Sequence, residues 1–366
     1  MKNLYYGVLH CLAMITSVIF VATTIGMNVP LALLCSGIGT IVFTAWTRGK
    51  YGIGLGISGA YISAVISVGA TYGASYAVGG TLIAGVFYVL VGLLMKKFPG
   101  FMKLFSPSVL SLAVIFIALT LIPIGISVIE ASPITAVVTL IAIIVLSNIK
   151  AMKAVSFPLA IGVGTLFHAL TYGLAPTTMT SNLVFMAPAF NLAGFLAISL
   201  ASFAVMFEGL GDSKLISDIT NQEYEPHKVI TGNGVATIIS SLLGCPIACT
   251  TYSESGGFLL ATNHFKWQSS IICGITFIIL ALIPQLTVLI SYIPMACFGA
   301  ILLYLFTMIM SLRITELNLN NDKLLTLGIV GLSSFYLAPI VLPSVSQVAV
   351  AMFCTVLTDK LMNLKK

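Results

Sequence analysis

Cys245-Pro246-Ile247-Ala248-Cys249-Thr250-Thr251-Tyr252-Ser253-Glu254-Ser255-Gly256-Gly257 decides how this chain is read. The segment lies in a strongly apolar sequence but makes a poor membrane helix. Hydroxyls crowd it, proline opens it and paired glycine closes it. β-Branched threonine suits extended backbone leading into a short helix, so a broken span is expected here. A second segment reads the same way: Tyr51-Gly52-Ile53-Gly54-Leu55-Gly56-Ile57-Ser58-Gly59-Ala60-Tyr61-Ile62-Ser63, with glycine at alternate positions. Extended backbone at membrane depth is tolerated only where protein or a wet cavity covers it. Two interrupted segments at matching places in two halves point to a binding site, with the following half-helices aiming their N-terminal amides at what lies between them. The plainer reading is that the glycines serve close helix packing.

The surrounding sequence requires a bilayer. Of 366 residues 59% are hydrophobic and 7% charged, with a mean hydropathy of +1.12, whereas soluble proteins carry about 25% charged residues. Apolar blocks such as residues 8–24, 31–46 and 271–290 are long enough to cross a hydrocarbon core about 30 Å thick. Lys2 before the first block resembles a signal peptide, but no small-residue cleavage site follows and many further spans do. The seven cysteines are scattered without C-x-x-C pairs and read as small core residues.

Fourteen spans are expected from the charges. The loops fall near residues 25–30, 47–52, 70–75, 96–104, 125–132, 149–154, 175–191, 212–228, 244–246, 263–267, 291–294, 313–323 and 340–343. Counting from the N-terminus, all sixteen Lys and Arg fall in alternate loops and at the two ends. The remaining loops hold none, which places both termini in the cytoplasm. The fold expected is an all-α polytopic membrane protein of seven plus seven spans. An odd number per half inverts the second repeat, so residues 1–175 and 190–366 would form inverted halves joined on the outer face.

Ten acidic residues occur, and seven of them fall in loops or at span ends. Glu208, Asp212 and Glu254 remain. A carboxylate inside a span is expensive and usually marks a substrate or proton path. A carboxyl out of water can hold a proton and release it, so Glu208 is a candidate proton carrier as well as a ligand. Asp212 follows one helical turn later on the same face and could already lie at the membrane surface. Glu254 can also cap its half-helix and complement the dipole. His10 and His168 lie in the first and seventh spans; His227 and His264 sit in basic loops. No phosphate-binding loop is present and no metal-ligand cluster stands out, so neither ATP-driven transport nor a cofactor is expected.

Phe207-Glu208-Gly209-Leu210-Gly211-Asp212 and Thr250-Thr251-Tyr252-Ser253-Glu254-Ser255-x-Gly257 together resemble the nucleobase–ascorbate transporter (nucleobase:cation symporter-2) family. Its eighth span carries an E-H-I-G-H-like segment and its tenth T-T-Y-G-E-N-x-G. Gly232-Asn233-Gly234-Val235-Ala236-Thr237, Leu9-His10-Cys11-Leu12-Ala13-Met14 and Gly56-Ile57-Ser58-Gly59-Ala60-Tyr61-Ile62 also resemble family segments. The resemblance implies a core domain (residues 1–100 and 190–290) and a gate domain (101–175 and 291–366). It also implies import of uracil, xanthine or a related base with protons or sodium. Glu208 and Glu254 would hold the base. Backbone near Gly59, Ala60, Tyr61 and Ser253 would complete the site beside Tyr252, with His10 in support. The departures are Asp212 for a histidine, Ser255 for an asparagine, Asn263 for the basic or glycine residue that ends the signature, and Gly59 for a phenylalanine. They leave the particular base open.

Two other classes compete with this reading. Sulfate/bicarbonate-type anion exchangers share the seven-plus-seven fold, but two carboxylates would repel an anion and no Lys or Arg is expected within any span. A membrane enzyme would need a nucleophile–base pair, which the sequence lacks. The expected partners are a nucleobase-like solute, a coupling ion and the lipid of a bacterial inner membrane, with no nucleic acid. The assembly is open between monomer and homodimer.

Overall fold

The computed structural model describes residues 2–98, 106–150, 152, 155–176, 182–317, 322–341 and 347–364. Lys103, Lys153, Lys365 and Lys366, which enter the charge alternation, lie outside these residues. The first half runs α1 (Lys2–Thr24), α2 (Val29–Trp46), β1 (Leu55–Ile57), a 3-10 turn (Gly59–Tyr61), α3 (Ile62–Tyr72), α4 (Ala74–Lys97), α5 (Pro107–Ile129), α6 (Pro133–Asn148) and α7 (Ser156–Tyr172). The second runs α8 (Leu192–Thr220), α9 (Pro226–Leu242), β2 (Cys249–Thr251), α10 (Ser253–Thr262), α11 (Trp267–Leu282), α12 (Pro284–Ser291), α13 (Met295–Glu316), α14 (Asp322–Val341) and α15 (Gln347–Leu364). Among the described helices α1, α2, α4, α5, α8, α13 and α14 are long and apolar enough to cross a membrane.

Local chemistry sets several boundaries. The Asn28 and Asn191 side chains accept hydrogen bonds from Leu31 N at 2.9 Å and Gly194 N at 2.6 Å, capping α2 and α8. Asn221 and Asn263, at φ 51° and 50°, end α8 and α10 in the left-handed conformation asparagine tolerates. Three sequence expectations need correction. The apolar block 271–290 is not one helix: Pro284 cannot donate to the preceding turn, Ile283 goes extended at φ −106° and ψ 97°, and α12 restarts. Helix α8 continues eight residues past Asp212, so that residue is not at a helix end. Helix α13 continues to Glu316 and carries Arg313 inside it, buried, where a loop was expected.

The packing repeats when the halves are exchanged. That operation turns α1 into α8, α2 into α9, α4 into α11 and α5 into α13. Helix α2 packs on α11 as α4 packs on α9, α1 on α11 as α8 on α4, and α5 on α13, its own image. Glycines permit the closest of these approaches. A Cβ on Gly274, Gly234 or Gly299 would come within 2.8 Å of the carbonyl oxygen of Gly37, Gly85 or Gly125 respectively, the small-residue packing that membrane helices favour.

The two interrupted segments meet. Strands β1 and β2 pair antiparallel in the register Leu55 with Thr251, Gly56 with Thr250 and Ile57 with Cys249. Ser58 N donating to Ala248 O at 3.0 Å lengthens the ladder. Each strand is also braced from a neighbouring helix. Thr40 on α2 accepts from Leu55 N at 2.8 Å, its own proton going to Ser36 O at 2.7 Å. Asn233 on α9 accepts from Thr251 N at 3.2 Å and donates to Thr251 Oγ1 at 3.3 Å. Extended backbone is thus satisfied on both edges inside the bundle.

Candidate functional site

The chain leaves β1 and β2 into two helix starts, the Gly59 turn before α3 and the first turn of α10. The first amides of any helix have no partner within it. Both starts face one small cavity. It is walled by Ser17, Phe20 and Val21 of α1, Gly59, Ala60 and Ile62 of the third segment, Glu208 of α8, Tyr252 and Glu254 of the tenth, Leu121 of α5, and Leu302 and Phe306 of α13. Its volume of about 10 Å³ is room for a single water.

The two glutamates reach this cavity by different routes. Glu254 is the second residue of α10, where the helix dipole favours a carboxylate, and is 5% exposed. Glu208, 7% exposed, sits midway along α8. Gly209 beside it lets that helix come down on the bracing pair, since a Cβ there would lie 2.8 Å from both Asn233 Nδ2 and Thr251 Oγ1. Gly56 does the same for Tyr252: a Cβ on it would sit 2.9 Å from three atoms of the tyrosine ring.

The cavity gathers five of the residues singled out in the sequence: Glu208, Glu254, Tyr252, Gly59 and Ala60. Ser253, the first residue of α10, is not in the lining. The others lie outside the lining. His10 is fully buried; its Nε2 forms a 2.7 Å hydrogen bond with Ser255 Oγ, and its ring stacks on Phe258 at 4.8 Å. Ser255 Oγ also accepts from Gly54 N at 2.8 Å, so this pair ties α1 and α10 to the third segment. The Tyr61 hydroxyl is 2.8 Å from those of Tyr88 and Ser202, which anchors the turn to α4 and α8. Asp212 is 4% exposed, and Arg313 Nη2 of α13 donates to its Oδ1 at 3.5 Å.

Sequence reasoning missed Ser17, Phe20, Val21, Leu121, Leu302 and Phe306. For Ser17 a signal was present: it lies seven residues after His10, two turns along the same helix face. The apolar wall from α5 and α13 carried none. Every polar side chain in the lining comes from α1, α8 or the tenth segment, while Leu121, Leu302 and Phe306 give α5 and α13 a wholly apolar contribution.

Comparison with known proteins agrees with this architecture. The transmembrane domain of the cyanobacterial bicarbonate transporter BicA superposes with a TM-score of 0.71 at 13% identity, covering 98% of this chain and 96% of that one. The murine Solute Carrier 26 member A9 anion transporter, in its inward-facing state, gives 0.69 at 10% identity over 99% and 68%. At such identities the likeness is one of fold, and the fold is that of the seven-plus-seven transporters. In sequence, the uracil permease of Bacillus subtilis is 30% identical over 344 residues, spanning 84% of this chain and 78% of that protein. The xanthine permease of the same organism is 24% identical over 357 residues, 87% and 80% respectively. The profile of the xanthine/uracil "Permease family" matches residues 1–335. The chain is an integral membrane permease, not an enzyme, and belongs to the family of nucleobase permeases that its eighth- and tenth-span motifs resemble.

Proposed function

We propose that this permease imports a nucleobase, uracil, xanthine or a close relative, together with protons across the bacterial inner membrane. One observation carries the reading: two buried carboxylates and two helix starts line the same cavity, which has to open beyond its one-water volume to admit a base. A base offers adjacent N–H and C=O groups. Carboxylates accept from the first and helix-start amides donate to the second. The relatives named as uracil and xanthine permeases support that substrate class. The same carboxylates disfavour an anion such as bicarbonate, although the fold is shared with anion carriers.

Glu208 is the proposed proton carrier. The proposed motion is an elevator, in which the core (residues 1–100 and 190–290) slides against the gate (101–175 and 291–366). An apolar wall from α5 and α13 suits such sliding because it holds no hydrogen bond to the ligand. Fourteen crossings with both termini in the cytoplasm complete the proposal, on the strength of the loop-charge alternation.

A thermal-shift screen of the purified protein with uracil, xanthine, sulfate and bicarbonate tests the site. Ligand at 100 times its Kd stabilises the native state by about 2.7 kcal/mol. The wild type should therefore melt several degrees higher with a base and unchanged with the anions. Glu208→Gln and Glu254→Gln should lose the base response while keeping the unliganded melting point. If both variants respond like the wild type, the assignment of these glutamates is wrong.

A further inference from the structure

We infer that Ser17 is a third polar contact to the transported base, its hydroxyl donating a hydrogen bond to a ring carbonyl and thereby selecting oxo-bases over analogues that lack that oxygen. The inference rests on the reading above that the cavity between Glu208 and Glu254 receives a base.

A hydroxyl in an apolar helix ordinarily bonds back to a carbonyl one turn earlier. Thr23, Thr40, Thr44, Ser202 and Ser213 all do so, at 2.7–2.9 Å. Ser17 does not. Its side chain is 3% exposed and forms part of the cavity wall, and its Oγ closes no hydrogen bond of good geometry, although Glu254 and Tyr252 stand within reach of it. Other buried hydroxyls share that lack, Ser36, Ser58 and Thr250 among them, but they line no part of the cavity. A buried polar group without a partner is costly, and one aimed into a ligand cavity is accounted for by the ligand.

The bond between His10 and Ser255 registers α1 against α10 and brings Ser17, two turns on, toward Glu254 and Tyr252. The geometry closes no hydrogen bond with either. Ionised carboxylates only accept, so the two glutamates can read the N–H edges of a base and not its oxygens. Among the lining side chains, hydroxyl donors are limited to Ser17 and Tyr252. Sulfur is a weaker and larger acceptor than oxygen, so a hydroxyl aimed at a carbonyl discriminates between oxo- and thio-bases.

Calorimetric titration of uracil, xanthine, 2-thiouracil and 4-thiouracil into the wild type, Ser17→Ala and Ser17→Thr tests this. Ser17→Ala should bind uracil or xanthine about 5- to 10-fold more weakly, roughly the worth of one neutral hydrogen bond. It should also narrow the gap between uracil and one of the two thio analogues. Ser17→Thr, which keeps the hydroxyl, should restore both. Unchanged affinities and oxo/thio ratios in Ser17→Ala overturn the inference, as does a lowered unliganded melting point with an unchanged ratio, which marks a structural role. If the wild type binds none of the four bases, the base-site reading itself has failed and this inference falls with it.

Discussion

The third and tenth segments share one backbone plan, a three-residue strand running into a helix start, yet their side chains divide the work. The third supplies glycine: Gly54 and Gly56 leave room for Met14 and for the Tyr252 ring, and Gly59 leaves backbone exposed to the cavity. The tenth supplies Tyr252 and Glu254. Related geometry thus carries unrelated composition, one arm giving space and amides and the other giving charge. A site made from two repeats can be symmetric in shape and still grip an asymmetric ligand.

Filling the space is the strongest way to break this division. Gly56→Val would drive its side chain into the buried Tyr252 ring, at an expected cost of about 3 kcal/mol, the upper range for overpacking. Base binding should fail along with stability, since the ring that must move forms part of the cavity wall. Denaturant unfolding alongside base titration checks both. A variant as stable as the wild type would show that β1 and Tyr252 are not in contact as described.

Cutting the braces sharpens the comparison. Asn233→Ala removes two hydrogen bonds from Thr251, and Thr40→Val removes the one that Leu55 N donates. Each should cost about 1–3 kcal/mol, because a buried amide or hydroxyl is left without its partner. Only the first should also weaken the base response markedly, since β2 leads into Glu254 while β1 leads into backbone alone. Equal losses of affinity would mean that the two arms contribute alike.

The smallest effect concerns the turn that leads into the third segment. Lys50 and Lys228 both reach Glu225, each at 2.7 Å. Burial alone would push the Glu225 carboxyl up, but the hydrogen bonds from Lys228 and Lys50 outweigh it and hold it below its ordinary value of 4.5. A depressed carboxyl contributes stability that is present above pH 4.5 and is lost as pH falls through its lower folded-state value. Partly exposed pairs of this kind are worth below about 1 kcal/mol. Melting temperature against pH for the wild type and Glu225→Gln should therefore differ slightly at pH 7 and converge in acid.

Much of this site could be read from residues because membranes penalise irregularity. Glycine runs, a hydroxyl cluster and two carboxylates inside apolar sequence have few structural excuses, and they led to Glu208, Glu254 and the two extended segments, though not to their pairing. Phe20, Val21, Leu121, Leu302 and Phe306 could not be read that way. An apolar residue facing a ligand is indistinguishable in sequence from one facing lipid. Arg313 escaped for another reason: a charge near a span end reads as loop until the helix length is known, and its partner Asp212 lies 101 residues away. The break at Pro284 was legible in principle, but the hydropathy of the block concealed it.

The glycine pairs Gly37 with Gly274, Gly85 with Gly234 and Gly125 with Gly299 each join one half of the chain to the other. During synthesis the first half would thus enter the bilayer with these interfaces unoccupied, holding α2, α4 and α5 in reserve until α9, α11 and α13 emerge. These interfaces cannot form until the C-terminal half is present. A ribosome stalled after α7 would release a fragment that quality-control proteases can recognise, while the two halves made as separate chains could still find one another and assemble.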